Sequence, residues 1–457
     1  MRTAVTRALI AIALLISGAA HAHVGSPDVF FEGDAGPYKL FVTVRVPQVI
    51  PGVAAIEIRS ESPDVRAVTV VPMRLTGPGS EHPPTADRAE QSPADPQFFT
   101  ANLWLMERGS LQVRVGVDGA RGAGTLAVPV PASAQTTLAM PTGLGALLLG
   151  LMLVLALAIV AIASGALREA TLEPGAAPRP RTRVALVVVS AIVVGAIALG
   201  NAWWSAVAGD YAQLVAKPWR VQASVSGCRL TLADVTVGLL PDHGHLMHLF
   251  LVRMPALDRL AHLHPRRDGG SFVQALPSLP AGHYRLYADI VLDSGFPVTG
   301  TAELDLPELA CGPVAGDDSV WSGALGGALS NGARVIWDRP AQLRAGVARA
   351  LAFHVVEADG RPATLEPYMG MVAHAEVVRT DGSVFAHLHP NGSVAMPALE
   401  LADPRAMTGM AMAMPMPPMV PAFSIPFGFP RAGEYRVFVQ IKRAGTVETG
   451  AFDAHVE

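Results

Sequence analysis

The feature that most restricts the fold of this 457-residue chain is a pair of long apolar stretches without a charged residue. Residues 144–163 consist of Leu, Ala, Val, Ile, Met and Gly, and residues 184–207 form a second such stretch. A helix of about 20 apolar residues can cross the hydrocarbon of a bilayer, and a soluble domain rarely buries two such helices. We therefore predict transmembrane helices at residues 141–166 and 184–207, with the lipid bilayer as a partner.

The segments around these helices predict their orientation. Residues 1–22 have a basic start, a short apolar core and a final Ala-His-Ala, which is typical of a cleaved signal peptide. The loop at residues 167–183 carries four arginines, and short loops rich in arginine stay in the cytoplasm. The sequence therefore predicts a protein of the bacterial inner membrane whose two large parts, residues 23–140 and 208–457, face the periplasm.

The N-terminal part, residues 23–140, has the residue pattern of β-strands. Apolar and polar side chains alternate at residues 39–46 and 110–117, and Pro and Gly interrupt such runs. A period of two is typical of strands that bury one face. The length suits one immunoglobulin-like β-sandwich.

The C-terminal part contains an internal repeat. The sequence Ala-His-Leu-His-Pro occurs at residues 261–265 and again at residues 386–390. Neighbouring blocks also match, 241–248 with 367–374 and 281–287 with 432–438. Three blocks in the same order indicate two copies of one β module, at residues 208–312 and 313–457. The expected fold class is mainly β, with immunoglobulin-like or cupredoxin-like β-sandwich domains outside the membrane and a two-helix transmembrane hairpin.

The chain has two cysteines, Cys228 and Cys311, which lie near the two ends of the first module. In an oxidising compartment a disulfide between them is the natural pairing. A pair of metal-binding thiolates is the alternative, but such sites usually have closely spaced cysteines. We therefore predict the disulfide.

The histidines of the repeat are candidate metal ligands. Residues two apart on a strand point to the same face, so the two histidines of each Ala-His-Leu-His-Pro strand project together. A third, upstream histidine would lie across from each pair if its strand is the neighbour. Three imidazoles suit copper or zinc, so the sequence predicts one site per copy. The predicted ligands are His248, His262 and His264 in the first copy and His374, His387 and His389 in the second.

The differences between the copies favour copper. His243 and His245 of the first copy align with Met369 and Met371 of the second. Imidazole and thioether both bind copper, and thioether prefers Cu(I), whereas zinc rarely uses methionine. We therefore predict copper as the cofactor, with all four residues as further ligands.

Two more segments could contribute ligands. A Met-rich segment of the second copy offers thioethers for Cu(I), although a flexible apolar flap would have the same composition. Its candidate ligands are Met410, Met412, Met414 and Met416. A mature chain that begins at His23 would also offer an α-amine and an imidazole to one Cu(II).

Charge and motifs exclude several classes of function. The formal net charge is -4 and no run of Lys and Arg occurs, so we expect no nucleic-acid partner. The sequence contains no G-x-S-x-G, H-E-x-x-H, P-loop or C-x-x-C motif. We therefore predict a protein that is not an enzyme.

The repeat blocks also carry a family resemblance. GHLMHLFLVR, AHLHP and LPAGHYRLYADI resemble the periplasmic β-sandwich modules grouped as YtkA-like or FixH-like, and cupredoxin-like domains of bacterial envelope proteins. LEPYMGMVAHAEVVRTDGSVFAHLHP is similar to a companion module of uncharacterised membrane proteins. This resemblance implies a membrane-anchored envelope protein that handles metal.

Three hypotheses follow from the residues and the resemblance, and the least favoured is a copper-dependent oxidase or oxygenase built on the terminal histidine. The first is copper capture, tolerance or delivery without catalysis, with another envelope or metal-handling protein as partner. The second is a scaffold without metal, whose sandwiches bind a partner subunit and whose histidines are polar groups at a sheet edge.

Overall fold

The computed structural model describes residues 25–166, 175, 180–233, 235–403 and 419–457. The predicted signal peptide, His23 and most of the loop at residues 167–183 lie outside the described residues. So do four of the predicted methionine ligands, Met410, Met412, Met414 and Met416. The chain divides into two compact units, of which residues 134–216 form one and the two flanking parts form the other.

The smaller unit contains two helices, α1 (Thr142–Ala166) and α2 (Pro180–Gln213). Both are long and apolar enough to cross a membrane, and no residue of their most apolar windows is buried. The second helix extends past both ends of the predicted span, 184–207. Apolar surface of this extent is compatible with membrane anchoring.

The N-terminal part is a β-sandwich of two antiparallel sheets. One sheet has the order β1 (Val29–Ala35), β2 (Tyr38–Arg45), β3 (Gly52–Ser60), β7 (Phe98–Leu105), β6 (Glu90–Gln91). The other has the order β5 (Asp87–Arg88), β4 (Val65–Arg74), β8 (Gly109–Gly119), β9 (Gly122–Ala132). Alternate residues such as Leu40, Val42 and Val44 are fully buried, as the period-two pattern predicts.

The first repeat module also has two sheets. The smaller has the order β10 (Gln222–Ser226), β11 (Arg229–Ala233), β16 (Ser271–Ala275), β15 (Arg266–Asp268). The larger has the order β12 (Leu239–Leu240), β17 (Gly282–Leu292), β13 (His248–Met254), β14 (Leu260–Leu263), β19 (Ser319–Trp321), and β18 (Pro297–Leu306) pairs with β17. Strand β19 pairs with β14, so the first module extends past residue 312, its expected end. Cys228 and Cys311 form a disulfide with a Cα–Cα distance of 5.8 Å.

The second repeat module has the same plan with fewer strands. One sheet has the order β20 (Arg334–Trp337), β21 (Arg349–Val356), β24 (Ala422–Phe427). The other has the order β23 (Phe385–Leu388), β22 (His374–Arg379), β25 (Gly433–Arg443), β26 (Thr446–Val456). A short helix, α3 (Met396–Ala402), and a 3-10 turn (Ser330–Gly332) complete the module. The described fold is therefore mainly β, built of β-sandwiches, with two long apolar helices, as the sequence predicts.

The larger sheets of the two modules pack against each other. Phe250 and Val252 of the first module share a buried cluster with Phe385 and Phe438 of the second. The alternate residues of β13, such as Leu249, instead face the core inside the first module. This strand is thus covered on both faces, which explains why its sequence is a continuous apolar run rather than an alternation.

The N-terminal sandwich packs against the second module, and a short backbone bridge forms part of this contact. The Glu32 N–H donates to the Asn391 carbonyl at 2.8 Å, and the Ser393 N–H donates to the Phe30 carbonyl at 2.9 Å. Gly392 lies between these bonds with φ +118°, and a Cβ there would lie 1.9 Å from the Phe30 oxygen. The bridge therefore requires glycine at this position.

Candidate metal centre

Two tight turns with the same backbone begin the two copies of the site. In Asp242–His245, His243 and Gly244 have φ of 50° and 84°, and Asp242 and His245 exchange two backbone hydrogen bonds. Tyr368–Met371 forms the same pair of bonds, with φ of 50° at Met369 and 79° at Gly370. Positive φ at both central residues defines a type I′ turn, for which a glycine at the second position is favourable. His243 and Met369 therefore occupy the same position at the tips of the two turns.

The strands that follow bring three histidines of each copy together. His248 begins β13, and Phe250 pairs with His262 in β14. In the second copy His374 begins β22, and Glu376 pairs with His387 in β23. The local placement is therefore the one that the spacing predicts, with the upstream histidine next to the strand that carries the pair.

Because the two large sheets pack face to face, the histidines of both copies meet in one cluster. Neighbouring ring centroids are 3.9 to 6.2 Å apart. The eight members are His243, His245, His248, His262, His264, His374, His387 and His389. Seven of these rings are buried or nearly so, and they form a polar centre inside a largely apolar interface.

Six of these histidines form two groups of three. Within each group, the ligand nitrogens all lie within 4.8 Å of one another. We call His243, His374 and His389 the outer trio, and His248, His262 and His387 the inner trio. Each trio takes residues from both copies. The sequence suggests one site in each copy, and the structure corrects this grouping. Face-to-face packing places His387 of the second copy with His248 and His262 of the first. It places His243 of the first copy with His374 and His389 of the second.

Outer partners fix the orientation of the rings in the inner trio. His262 Nδ1 donates to Gln440 Oε1 at 2.7 Å, while the Gln440 amide donates to the Ser319 hydroxyl at 2.6 Å. His248 Nε2 donates to the Asp242 carbonyl at 3.1 Å. A neutral imidazole has one N–H, so these bonds leave His262 Nε2 and His248 Nδ1 without a proton.

These two unprotonated nitrogens face each other at 3.1 Å. Two lone pairs at this distance repel each other unless a cation lies between them. Two nitrogens at about 2.0 Å from a tetrahedral metal ion are separated by about 3.3 Å. The separation in the inner trio therefore matches a pair of metal ligands.

The outer trio repeats this arrangement. His389 Nδ1 donates to the Val394 carbonyl at 3.4 Å, and His389 Nε2 lies 3.3 Å from His243 Nε2. Neither ring nitrogen of buried His374 has a hydrogen-bond partner among the described residues. A buried ring with two unpaired nitrogens is unfavourable unless a ligand binds it, which makes His374 a suitable third donor.

Burial keeps most of the rings neutral. Removal from water and then the charges of neighbouring rings lower the pKa of His243 to about 4. Burial likewise lowers the pKa of His264. It holds the pKa values of four other rings well below the usual 6.5, namely His248, His262, His374 and His389. Since only the neutral ring offers a lone pair, this environment favours metal binding over protonation.

His387 and the nearby carboxyl groups behave differently. Burial alone would lower the pKa of His387, but the Asp289 carboxylate at 3.3 Å from Nδ1 and more distant acidic groups raise it. Burial raises the pKa of Glu376 to about 8 and that of Asp242 to about 7. These two carboxyl groups can therefore lose protons when a cation binds nearby.

The remaining predicted ligands lie at the margin of the cluster. His264 stacks on His245 with 3.9 Å between ring centroids, and neither belongs to a trio. Met369 and Met371 are half-buried in the second turn, where the Met369 backbone hydrogen-bonds to His243. Residues 404–418 and His23 lie outside the described residues, so their predicted roles stay predictions.

Sequence reasoning missed the residues that orient the rings. Asp289 and Gln440 each lie two residues past the aligned downstream blocks, at equivalent positions, and each contacts the first histidine of the other copy's Ala-His-Leu-His-Pro strand. That shared position was the available signal. Asp318, which holds His264, lies outside every repeated block and had no such signal.

Comparison with known proteins gives one family and several distant structures. A family model described as a domain of unknown function (DUF8832) matches residues 328–457. No curated protein matches the sequence. Because the family has no assigned function, the YtkA-like or FixH-like identity stays a prediction.

Three solved structures illustrate the distant similarities. A tetra-tandem repeat from the extending region of a large adhesion protein has 10% identity and a TM-score of 0.16, over 90% of this chain and 72% of that chain. An ICAM-5 ectodomain fragment has 10% identity and a TM-score of 0.15, over 92% and 77%. The FN1-FN3 domains of chicken CNTN1 have 8% identity and a TM-score of 0.13, over 91% and 97%. Similarities this low say nothing about activity.

Proposed function

We propose that this chain is a membrane-anchored, non-catalytic copper-binding protein that holds its ions between two repeated β modules. The observation that carries the proposal is the 3.1 Å separation of His248 Nδ1 and His262 Nε2 in a buried site, where the opposite nitrogen of each ring donates to an oxygen. The outer trio supports it with a similar pair at 3.3 Å. Hydrogen bonds from the opposite ring nitrogens to fixed oxygens are typical of metal-ligating histidines.

Several properties favour copper over other metals. Imidazole suits copper and zinc alike, and copper(II) binds nitrogen sites more tightly than other divalent ions of the first row. Methionines replace histidines at the second turn, and thioethers favour Cu(I).

The apolar helices α1 and α2 are compatible with a bilayer anchor. Capture or delivery at the periplasmic face, with another envelope protein as donor or acceptor, is the role that we propose.

The test is metal analysis of the full chain purified in detergent. The protein is incubated separately with Cu(I), Cu(II) and Zn(II), excess ion is removed by gel filtration, and bound metal is counted. We expect at least two copper ions per chain and nitrogen ligands at about 2.0 Å in X-ray absorption spectra. A His262→Gln variant, whose amide can still contact Gln440, should lose the inner ion.

A matched control is His354→Gln. His354 also carries a carboxylate partner, Asp338 at 3.0 Å, but it is 36% exposed and lies outside the cluster. This variant should retain all bound copper. Retention of zinc but not copper would overturn the choice of metal, and retention of neither would overturn the proposal and leave a scaffold role.

A further inference from the structure

Two histidines of the cluster, His245 and His264, belong to neither trio. Their rings stack with centroids 3.9 Å apart, and they lie 5.9 and 5.0 Å from the ring of His248. The pair therefore adjoins the inner trio directly.

His264 is oriented in the same way as the trio ligands. Its backbone N–H and its Nδ1 both bond to Asp318 Oδ1 at 2.9 Å, and Gln274 holds the other Asp318 oxygen at 2.9 Å. The side chain is 4% exposed. Its Nε2 has no hydrogen-bond partner among the described residues. A buried nitrogen that is fixed in direction but unpaired needs a ligand to satisfy it.

His245 lies at the open side of this nitrogen. Its side chain is 29% exposed, whereas the side chains of His243, His262 and His387 in the trios are at most 6% exposed. Asp317, which is 33% exposed, places Oδ2 at 3.5 Å from His245 Nε2. Lys442 lies 3.8 Å from the other Asp317 oxygen and fixes the carboxylate. Solvent therefore reaches the cluster at a position with two imidazoles and one carboxylate.

We propose that His245, His264 and Asp317 form a third, solvent-facing copper site through which ions reach the inner trio. This inference rests on the proposed function, because it takes the two trios as the binding sites that receive the ions. A carboxylate is a harder ligand than imidazole, so the mixed set suits Cu(II). Partial exposure permits exchange with solvent, and the adjacent ring of His248 gives the ion its next ligand.

The test compares Cu(II) binding by the full chain in detergent, before and after His245→Ala and Asp317→Asn. Both side chains are partly exposed, so both variants should fold. Bound copper is counted after gel filtration, the Cu(II) signal is integrated by electron paramagnetic resonance, and loading is followed by stopped-flow absorbance. The matched control is His354→Ala, which removes a histidine of similar exposure with its own Asp partner.

We expect the wild type and His354→Ala to bind three ions per chain. The two site variants should bind one ion fewer and should load the remaining ions at least tenfold more slowly. Equal stoichiometry and equal loading rate in His245→Ala and wild type would overturn the third site and leave the trios standing. Absence of copper from the wild type would overturn both proposals together.

Discussion

Replacing Glu376 by leucine should stabilise the metal-free protein. Glu376 is fully buried, and neither of its carboxyl oxygens has a hydrogen-bond partner among the described residues. One oxygen lies 3.8 Å from His262 Nδ1. The equivalent strand position in the first copy is the apolar Phe250, so this sheet position accepts a residue without charge.

The magnitude follows from the pKa of this carboxyl group. Burial raises it from 4.5 to about 8, so at pH 7 the folded protein holds a proton that the unfolded chain has released. One pKa unit corresponds to about 1.4 kcal/mol, so the penalty at pH 7 is about 3 kcal/mol. Because the folded pKa is raised, this contribution to stability is fully present below pH 4.5 and is lost as pH rises toward 8. The advantage of the leucine variant should therefore grow across this window.

Thermal unfolding followed by tryptophan fluorescence measures the effect, since Trp321 lies in the buried cluster between the modules. A gain of about 3 kcal/mol corresponds to about 6 to 12 °C in Tm for a unit of this size. The matched variant Glu376→Gln keeps the shape and removes only the ionisation, so it should show the same pH-dependent difference from wild type. Copper binding should raise the Tm of both variants less than that of wild type, because the variants lack the negative charge of Glu376 next to the ions. A difference from wild type that does not change between pH 5 and pH 8 would refute the reasoning.

Three further predictions concern the trios, the bridge from the N-terminal sandwich and the disulfide. Because burial lowers the pKa of all three rings of the outer trio, protons should displace its copper only well below pH 6.5, whereas the raised pKa of His387 should make the inner trio lose its ion at higher pH. Metal analysis after gel filtration from pH 4 to 8 checks this, and release of all copper in one step centred at or above pH 6.5 would contradict it. Gly392→Ala should lower the unfolding free energy by about 3 kcal/mol, because its Cβ would collide with the Phe30 carbonyl, and should loosen copper in the outer trio. Gly346→Ala, with φ +74° and no atom within 4 Å of the new Cβ, is the control, and equal Tm and copper content in the two variants would exclude the effect. The double change Cys228→Ser, Cys311→Ser should lower the unfolding free energy by about 4 kcal/mol in thermal melts without loss of trio copper, and an unchanged Tm would count against it.

Local patterns predicted the strands because the residue pattern of a strand depends on which of its faces are buried. The alternation in residues 39–46 reflects a sheet with one buried face, and the two Ala-His-Leu-His-Pro segments became the equivalent strands β14 and β23. The packing of one module on the other is harder to predict from the sequence. The feature that reflects it is the continuous apolar run of β13, which a core strand of a single sandwich would also show.

The partition of the histidines could not be predicted for the same reason. Spacing along a strand fixes which rings share a face, but it does not fix which face of another module lies opposite. His387 joins His248 and His262 only because β23 lies against the first module's sheet. The orienting residue Asp289 is 98 residues from His387, and Gln440 is 178 residues from His262. Pairs so distant in sequence carry no local signal.

The mixed origin of the trios has a thermodynamic consequence. Neither module alone contains a complete trio, since the inner trio needs His387 and the outer trio needs His243. An ion bound to a trio therefore stabilises the contact between the modules by RT ln(1 + [L]/Kd), or about 2.7 kcal/mol at a hundredfold excess over Kd. The apolar contact holds the modules together without metal, as the stacked pair Tyr287 and Phe385 at 4.1 Å illustrates. A bound ion could then leave without separation of the modules, as the proposed role in capture and delivery requires.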